Sequence, residues 1–156
     1  TIAKKLLQHE RKFISNFGLA AGMGSKKDVV SLAKKHFGED EGKISNPIFR
    51  SKVIDHKMKE HAFGLTLQRA ADEGGKASAV ASMFKYYGTE HNKRRHELMV
   101  AASGVNGLAW DGNEFDDSEK NLTRSWLRTK GNSIEGGTSE VQLNVISKRV
   151  LELPSG

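Results

Sequence analysis

Residues 48–71 read IFRSKVIDHKMKEHAFGLTLQRAA, and this stretch decides the fold class. Asn46 before Pro47 predicts where a helix begins, because an N-cap asparagine followed by proline at the first helical position is a typical start. The apolar residues that follow recur with the spacing of one helix face, at Phe49, Val53, Met58, Ala62 and Leu65. The stretch therefore predicts one long helix and not a strand.

Helical patterns occupy most of the remaining chain. Residues 79–103 predict a further long helix, and a last helix is predicted to begin near Ser139 and to end before Pro154. Long helices joined by short loops predict an all-α fold, an up-and-down antiparallel helical bundle without a sheet, in one domain over residues 1–156. An apolar stripe also marks residues 2–21, at Ile2, Leu6, Leu7, Phe13, Ile14 and Phe17.

The composition limits the function. The chain has 156 residues and 0 cysteines, which excludes disulfides and thiolate chemistry and is compatible with the reducing cytoplasm. It has no run of about 18 apolar residues, so no membrane span is predicted. The formal net charge of +6 favours an acidic partner, but no helix-turn-helix spacing supports nucleic-acid binding. The chain opens on Thr1 within a helical pattern, so we expect a piece of a larger protein.

Two adjacent glycines, Gly136 and Gly137, lie just ahead of the last predicted helix. Ser139 and Gln142 have capping-box spacing, in which the serine accepts a backbone hydrogen bond and the glutamine side chain reaches back. Free N–H groups and the positive end of the helix dipole would then face the glycines. Two interpretations stay open: a sharp turn with positive φ before a capped helix, or a cradle for an anion or a flat polar ligand.

Residues 132–154, NSIEGGTSEVQLNVISKRVLELP, closely resemble the C-terminal signature of acyl-CoA dehydrogenases. Looser matches in register are LLQHER at 6–11, NPIFRSKV at 46–53 and GVNG at 104–107. The resemblance implies the C-terminal helical domain of a flavoprotein, without its N-terminal helical domain and its middle β-domain. It also implies FAD as the cofactor, α,β-desaturation of an acyl-CoA thioester, an electron-transfer acceptor, and a homo-oligomer that is a dimer or a tetramer.

Within this resemblance, Glu10 is the expected catalytic base. Family members with the base in the C-terminal segment carry a glutamate immediately before the Gly-Thr pair, where this chain has Gly136. Glu135 lies one residue too early to match. The family's second base position is a Glu-Arg pair on the first helix of this domain, which matches Glu10 and Arg11.

The residues around Glu10 support the same choice independently. Glu10 shares one helix face with Leu6, Phe13 and Phe17. Burial among apolar residues raises the pKa of a carboxyl group, which suits a general base that works near neutral pH. From the residues alone, a buried glutamate paired with an arginine or lysine of another helix remains the alternative.

The resemblance also assigns ligand contacts to the glycine turn. The implied cofactor contacts, to the adenosine part of FAD, are Thr138, Ser139 and Glu140. The implied substrate contacts are Arg11, Gly136 and Gly137. Many members also bind the FAD pyrophosphate of a neighbouring subunit through Arg-x-x-Phe-Gly, whereas this chain has KKHFG at 34–38, and Ala101 replaces a glutamine of the family. A lysine lacks the bidentate fork of arginine, so these departures weaken the implied contact.

Other polar clusters are interpreted as structural. His56 and His61 lie on different faces of their helix, so these two residues with Glu60 do not predict a metal site. Residues 91–97, HNKRRHE, are interpreted as a solvated basic helix face. Two alternatives to a dehydrogenase remain: a basic helical binding module without catalysis, and an inactive or divergent family member that serves as a partner subunit.

Overall fold

The computed structural model describes residues 2, 5, 6, 28–72 and 77–154, with the backbone alone at 77–79. These residues form five α-helices, and short 3₁₀ turns at Gly104–Leu108 and Gly131–Ser133 follow the third and the fourth. The helices are α1 (Val29–Phe37), α2 (Pro47–Asp72), α3 (Ala77–Ser103), α4 (Asp117–Lys130) and α5 (Ser139–Arg149). The predicted all-α class is confirmed.

The prediction of no sheet is wrong in one detail. A short antiparallel hairpin, β1 (Glu39–Asp40) and β2 (Lys43–Ile44), connects α1 to α2. The two residues between the strands, Glu41 and Gly42, have φ values of 46° and 78°. A two-residue hairpin turn of this kind needs positive φ at both positions. A glutamate is a rare choice there, and strands of two residues are too short to show alternation, so the hairpin was not predictable from local signals.

The central helix is α3, which contacts α1, α2, α4 and α5. Phe63 of α2 packs against Phe84 and Tyr87 of α3, while His56, earlier in α2, stacks on His91, later in α3. Residues early in α2 therefore contact residues late in α3, and residues late in α2 contact residues early in α3. The two helices are antiparallel, as an up-and-down bundle requires.

The apolar core lies where α1, the hairpin and α2 meet the C-terminal half of α3. Phe37 and Phe49 pack with ring centroids 4.6 Å apart. Burying one large apolar side chain stabilises a fold by roughly 1.5–3 kcal/mol, so this cluster holds the first three helices together. Its buried members are Val29, Ala33, Ile44, Phe49, Val53, Leu98, Met99, Ala102 and Leu122.

Side-chain caps fix the starts of α2 and α4. The Phe49 N–H donates to Asn46 Oδ1 at 2.9 Å, which confirms the predicted start of α2. At α4, Asp116 and Glu119 form a reciprocal capping box. The predicted helix at 2–21 lies mostly outside the described residues. Within the described ranges, every helix is too short or too polar to cross a membrane.

Two glycine substitutions test the packing of α3 against its surroundings. A Cβ added at the buried Gly107 would meet the carbonyl oxygen of Val100, whereas a Cβ at Gly64, on α2, has nothing within 4 Å. We expect Gly107→Ala to lower the free energy of unfolding by about 1–3 kcal/mol, because backbone must shift. Gly64→Ala should raise it by about 0.5–1 kcal/mol. Urea unfolding measures both, and a Gly107→Ala protein as stable as the parent would contradict the packing.

Candidate functional site

The glycine turn and the first turn of α5 form the candidate site. Gly136 and Gly137 have φ values of 66° and 100°. The helix α5 begins at Ser139, as predicted, but its N-cap is Thr138, whose side chain accepts a hydrogen bond from the Val141 N–H at 3.3 Å. The turn with positive φ is therefore present, whereas the predicted capping box of Ser139 and Gln142 is wrong.

Gln142 instead holds the turn from inside the bundle. Its side chain is completely buried, and its Nε2 donates to the carbonyl oxygen of Gly136 at 2.9 Å. A Cβ added at Gly137 would lie 2.7 Å from the same Nε2. A side chain at Gly137 would therefore collide with the side chain of Gln142. The φ of Gly137 is also one that residues with a side chain rarely adopt.

The second support of the turn is Lys85 of α3. Its side chain is 1% exposed, and its Nζ donates to the carbonyl oxygen of Gly137 at 2.7 Å. Burial lowers the pKa of Lys85, and the negative charges of Glu90 and Glu135 act against this shift. Burying an amino group requires a partner. The Gly137 carbonyl provides it, so α3 holds the turn in place.

These two hydrogen bonds determine which backbone groups of the turn are available to a ligand. In a trans peptide the C=O of one residue and the N–H of the next point in opposite directions. The carbonyls of Gly136 and Gly137 point inward, to Gln142 and Lys85. The N–H groups of Gly137 and Thr138 are therefore directed away from these supports. Such a pair of backbone donors can bind an oxyanion or a polarised carbonyl.

The three residues with implied cofactor contacts lie together at the start of α5. Ser139 Oγ donates to Glu90 Oε1 at 3.2 Å, and the Thr138 hydroxyl serves as the cap. The Glu140 side chain is exposed. The pKa of Glu140 is lowered first by its own backbone N–H and then by the Thr138 hydroxyl. The exposed carboxylate is an acceptor for the hydroxyl groups of a ligand.

Of the two glutamates considered as the base, the described residues include Glu135 alone. Glu135 forms an ion pair with Arg128 of α4, with Oε1 2.7 Å from Nη1, and this pair directs its side chain toward α4. Glu10 and Arg11 lie outside the described residues.

The interpretation of residues 91–97 as a solvated face is wrong. Asn92 Nδ2 donates to Asn132 Oδ1 at 3.0 Å, and Lys93 Nζ donates to Ser133 Oγ at 2.8 Å. Glu97 Oε1 accepts from Lys130 Nζ at 2.8 Å. This polar face of α3 holds the end of α4 and the segment that leads to the glycine turn. This role of the polar face was not predictable from the sequence, because charged residues in a helix usually face solvent.

The KKHFG stretch at 34–38 lies at the end of α1 and enters the hairpin. Lys34 Nζ is 3.2 Å from Glu39 Oε2, and Phe37 packs on Phe49. Ala101 is exposed near the end of α3. A partly exposed lysine remains available at this position, but part of its charge is already neutralised within the chain.

Comparisons with known proteins identify the family of the chain. The family model "Acyl-CoA dehydrogenase, C-terminal domain" matches residues 1–151. Acyl-CoA dehydrogenase IpdE1 of Mycolicibacterium smegmatis is 36% identical over 128 residues, which are 81% of this chain and 30% of that protein. IpdE1 of Mycobacterium tuberculosis is 26% identical over 127 residues, 81% of this chain and 31% of that protein.

A solved structure shares the fold. The crystal structure of the ChsE4-ChsE5 complex from Mycobacterium tuberculosis matches with a TM-score of 0.66 and 20% sequence identity, covering 82% of this chain and 34% of that chain. The present chain therefore spans about a third of the length of the proteins it matches.

Replacing Lys85 tests the support of the glycine turn. Lys85→Met keeps the length of the side chain but removes the donor to the Gly137 carbonyl. Since a hydrogen bond to a charged group contributes about 1.5–3 kcal/mol, we expect amide hydrogen exchange at residues 136–139 to accelerate about tenfold or more. The matched control is Lys59→Met, which removes an exposed lysine paired with Asp55 and should leave this exchange unchanged. Equal exchange in both variants would contradict the role of Lys85.

Proposed function

Because the chain belongs to the acyl-CoA dehydrogenase family as a C-terminal domain, we propose that it contributes to an FAD-dependent enzyme that desaturates an acyl-CoA thioester between Cα and Cβ. The observation that carries this proposal is the glycine turn, whose two carbonyls are bound from inside the bundle. The turn offers two backbone donors at a helix start. The activity belongs to the longer protein, of which this domain is one part.

The proposed task of the turn is to bind the thioester carbonyl. Removal of the proton alpha to a thioester places negative charge on the carbonyl oxygen, and fixed N–H donors stabilise this charge. The N–H groups of Gly137 and Thr138 supply such donors. Gly136 and Gly137 have no side chains, so the acyl group can pass close to the backbone.

The proposed general base is Glu10. The other family position is Gly136, which cannot accept a proton. Glu135, one residue earlier, is engaged by Arg128. Glu10, on the apolar face predicted for residues 2–21, is then the remaining carboxylate that matches a family position, with Arg11 beside it in sequence.

The proposed cofactor contacts are those of Thr138, Ser139 and Glu140. Their chemistry fits the adenosine part of FAD, since the exposed Glu140 carboxylate accepts hydrogen bonds from ribose hydroxyls and the helix start offers backbone donors. The flavin supplies the acceptor for the hydride that leaves the β-carbon. An electron-transfer acceptor is the further partner that this chemistry requires.

The lack of cysteine underlies our placement of the enzyme in the cytoplasm.

We also propose that the domain assembles into a dimer or tetramer through the free face of α2. Ile54, Met58 and Leu65 share this face and are between 52% and 67% exposed. It lies opposite the face that carries the buried Phe49 and Val53, so the predicted single apolar face for residues 49–65 is wrong. The exposed His61 lies between Met58 and Leu65 on this face, and exposed apolar residues grouped on one helix face are typical of an interface.

Light scattering tests this assembly. We expect a mass at least twice the 17.2 kDa of one chain, and Met58→Glu should shift the protein toward the monomer by placing a charge in the apolar face. Lys52→Glu adds the same carboxylate on another face of α2 and should leave the mass unchanged. A strictly monomeric parent protein at high concentration would contradict the proposal.

Replacing the proposed base tests the reaction itself in the full-length enzyme. Glu10→Gln keeps the shape of the side chain but cannot accept a proton, so we expect a loss of turnover of about 10²–10⁴-fold with FAD content and fold intact. The control Glu135→Gln should lower turnover less than about tenfold. Normal turnover in Glu10→Gln with loss in Glu135→Gln would make Glu135 the base. If neither variant loses turnover, neither glutamate is the base; if the parent itself shows no turnover, the protein does not perform this reaction, and the binding-partner alternative is favoured.

A further inference from the structure

A second polar cluster lies between α2 and α3. The rings of His56 and His91 stack with centroids 4.1 Å apart and planes inclined by 7°. His56 is 2% exposed, and both of its ring nitrogens lack a hydrogen-bond partner among the described residues, as does the buried Nε2 of His91. Buried polar atoms in proteins are nearly always paired, so three unpaired nitrogens at one place call for a ligand.

Glu60 completes the cluster. It lies one turn after His56 on the same face of α2, so both side chains are directed toward α3. One potential ligand atom from each of His56, Glu60 and His91 lies within 4.8 Å of the other two. Two imidazoles and one carboxylate are a donor set that zinc prefers.

We propose that His56, Glu60 and His91 bind one divalent transition-metal ion, for which Zn²⁺ is the best match, and that the ion links α2 to α3. Ligand atoms around tetrahedral zinc, with bonds of about 2.0–2.1 Å, lie about 3.4 Å apart. The three ligand atoms must therefore approach one another by at most about 1.4 Å, starting from 4.8 Å. Rotation of the His91 ring and of the longer Glu60 side chain supplies movements of this size.

The protonation state of the histidines favours a metal. Burial lowers the pKa of His56 to about 4, and burial also lowers the pKa of His91. Burial thus favours the neutral form of both rings, which is the form of imidazole that binds a metal.

Nearby charges compete with the ion and balance one another. Lys57 Nζ lies 2.8 Å from Glu60 Oε2 and 3.0 Å from Asp28 Oδ1. The buried Arg95 is also close enough to interact with Glu60 and Asp28. The positive charges of Lys57 and Arg95 offset the negative charges of the two carboxylates, so the net charge around the metal ion is small. Lys57 can remain paired with Asp28 when Glu60 turns to the ion.

The sequence could not reveal this arrangement. The histidine that lies nearest to His56 and Glu60 in the sequence is His61, which is exposed. The third ligand instead comes from α3, and only the antiparallel packing of the two helices places His91 over His56.

Isothermal titration of the chelator-treated domain with ZnCl₂ tests the site. We expect one Zn²⁺ per chain, and at least about tenfold weaker binding in His91→Asn and in Glu60→Gln, because loss of a ligand costs no less than loss of an outer-shell partner. The matched control His61→Asn removes the exposed neighbour of Glu60 and should bind as the parent does. Lys57→Met, which frees Glu60 from its ion pair, should bind more tightly.

The melting temperature provides a second measurement. It should rise with Zn²⁺ concentration in the parent and in His61→Asn, but not in Glu60→Gln. Glu60 is half-buried, so this variant keeps the test available if His91→Asn does not fold. The proposal is overturned if the parent shows no saturable Zn²⁺ binding, or if His61→Asn weakens binding as much as Glu60→Gln does.

Discussion

Burying the amino group of Lys85 costs free energy, and the carbonyl oxygen of Gly137 is the acceptor that offsets this cost. This contact joins the central helix to the candidate site, as does the hydrogen bond from Ser139 to Glu90. Together with the hydrogen bond from Gln142 to the neighbouring carbonyl, the Lys85 contact orients both peptide groups of the glycine turn. The outward direction of the Gly137 and Thr138 N–H groups, and hence the ability of the turn to bind an oxygen atom, follows from it.

The rest of the bundle is organised around the two long faces of α3. One face is polar, and its residues Lys85, Asn92, Lys93 and Glu97 hold the segment from the end of α4 to the glycine turn. The other face packs on α2 through aromatic rings and the His56–His91 pair. The helix therefore serves as a platform that supports the proposed ligand site on one side. On its other side lies a histidine pair that the family's chemistry does not require.

Local signals in the sequence predicted the helices well. Asn46 and Pro47 marked the start of α2, and the last helix begins at Ser139 as expected, because caps and turns depend on neighbouring residues. Contacts between distant segments were not predictable. Lys85 and Lys93 resemble solvated lysines in the sequence, and only the packing of α4 and α5 on α3 buries them. In the same way, only the packing of α2 on α3 places His91 against His56. Gln142 binds the turn from inside the bundle instead of capping its own helix.

The most direct test of the glycine turn as a ligand site is amide hydrogen exchange in the full-length protein with and without FAD. We expect FAD to slow exchange at residues 138–140, which are the proposed contacts of the cofactor, while the free face of α2 at residues 54–65 exchanges at the same rate in both states. Unchanged exchange at residues 138–140 in protein that retains stoichiometric FAD would show that the cofactor lies elsewhere, and would contradict the assignment of these residues.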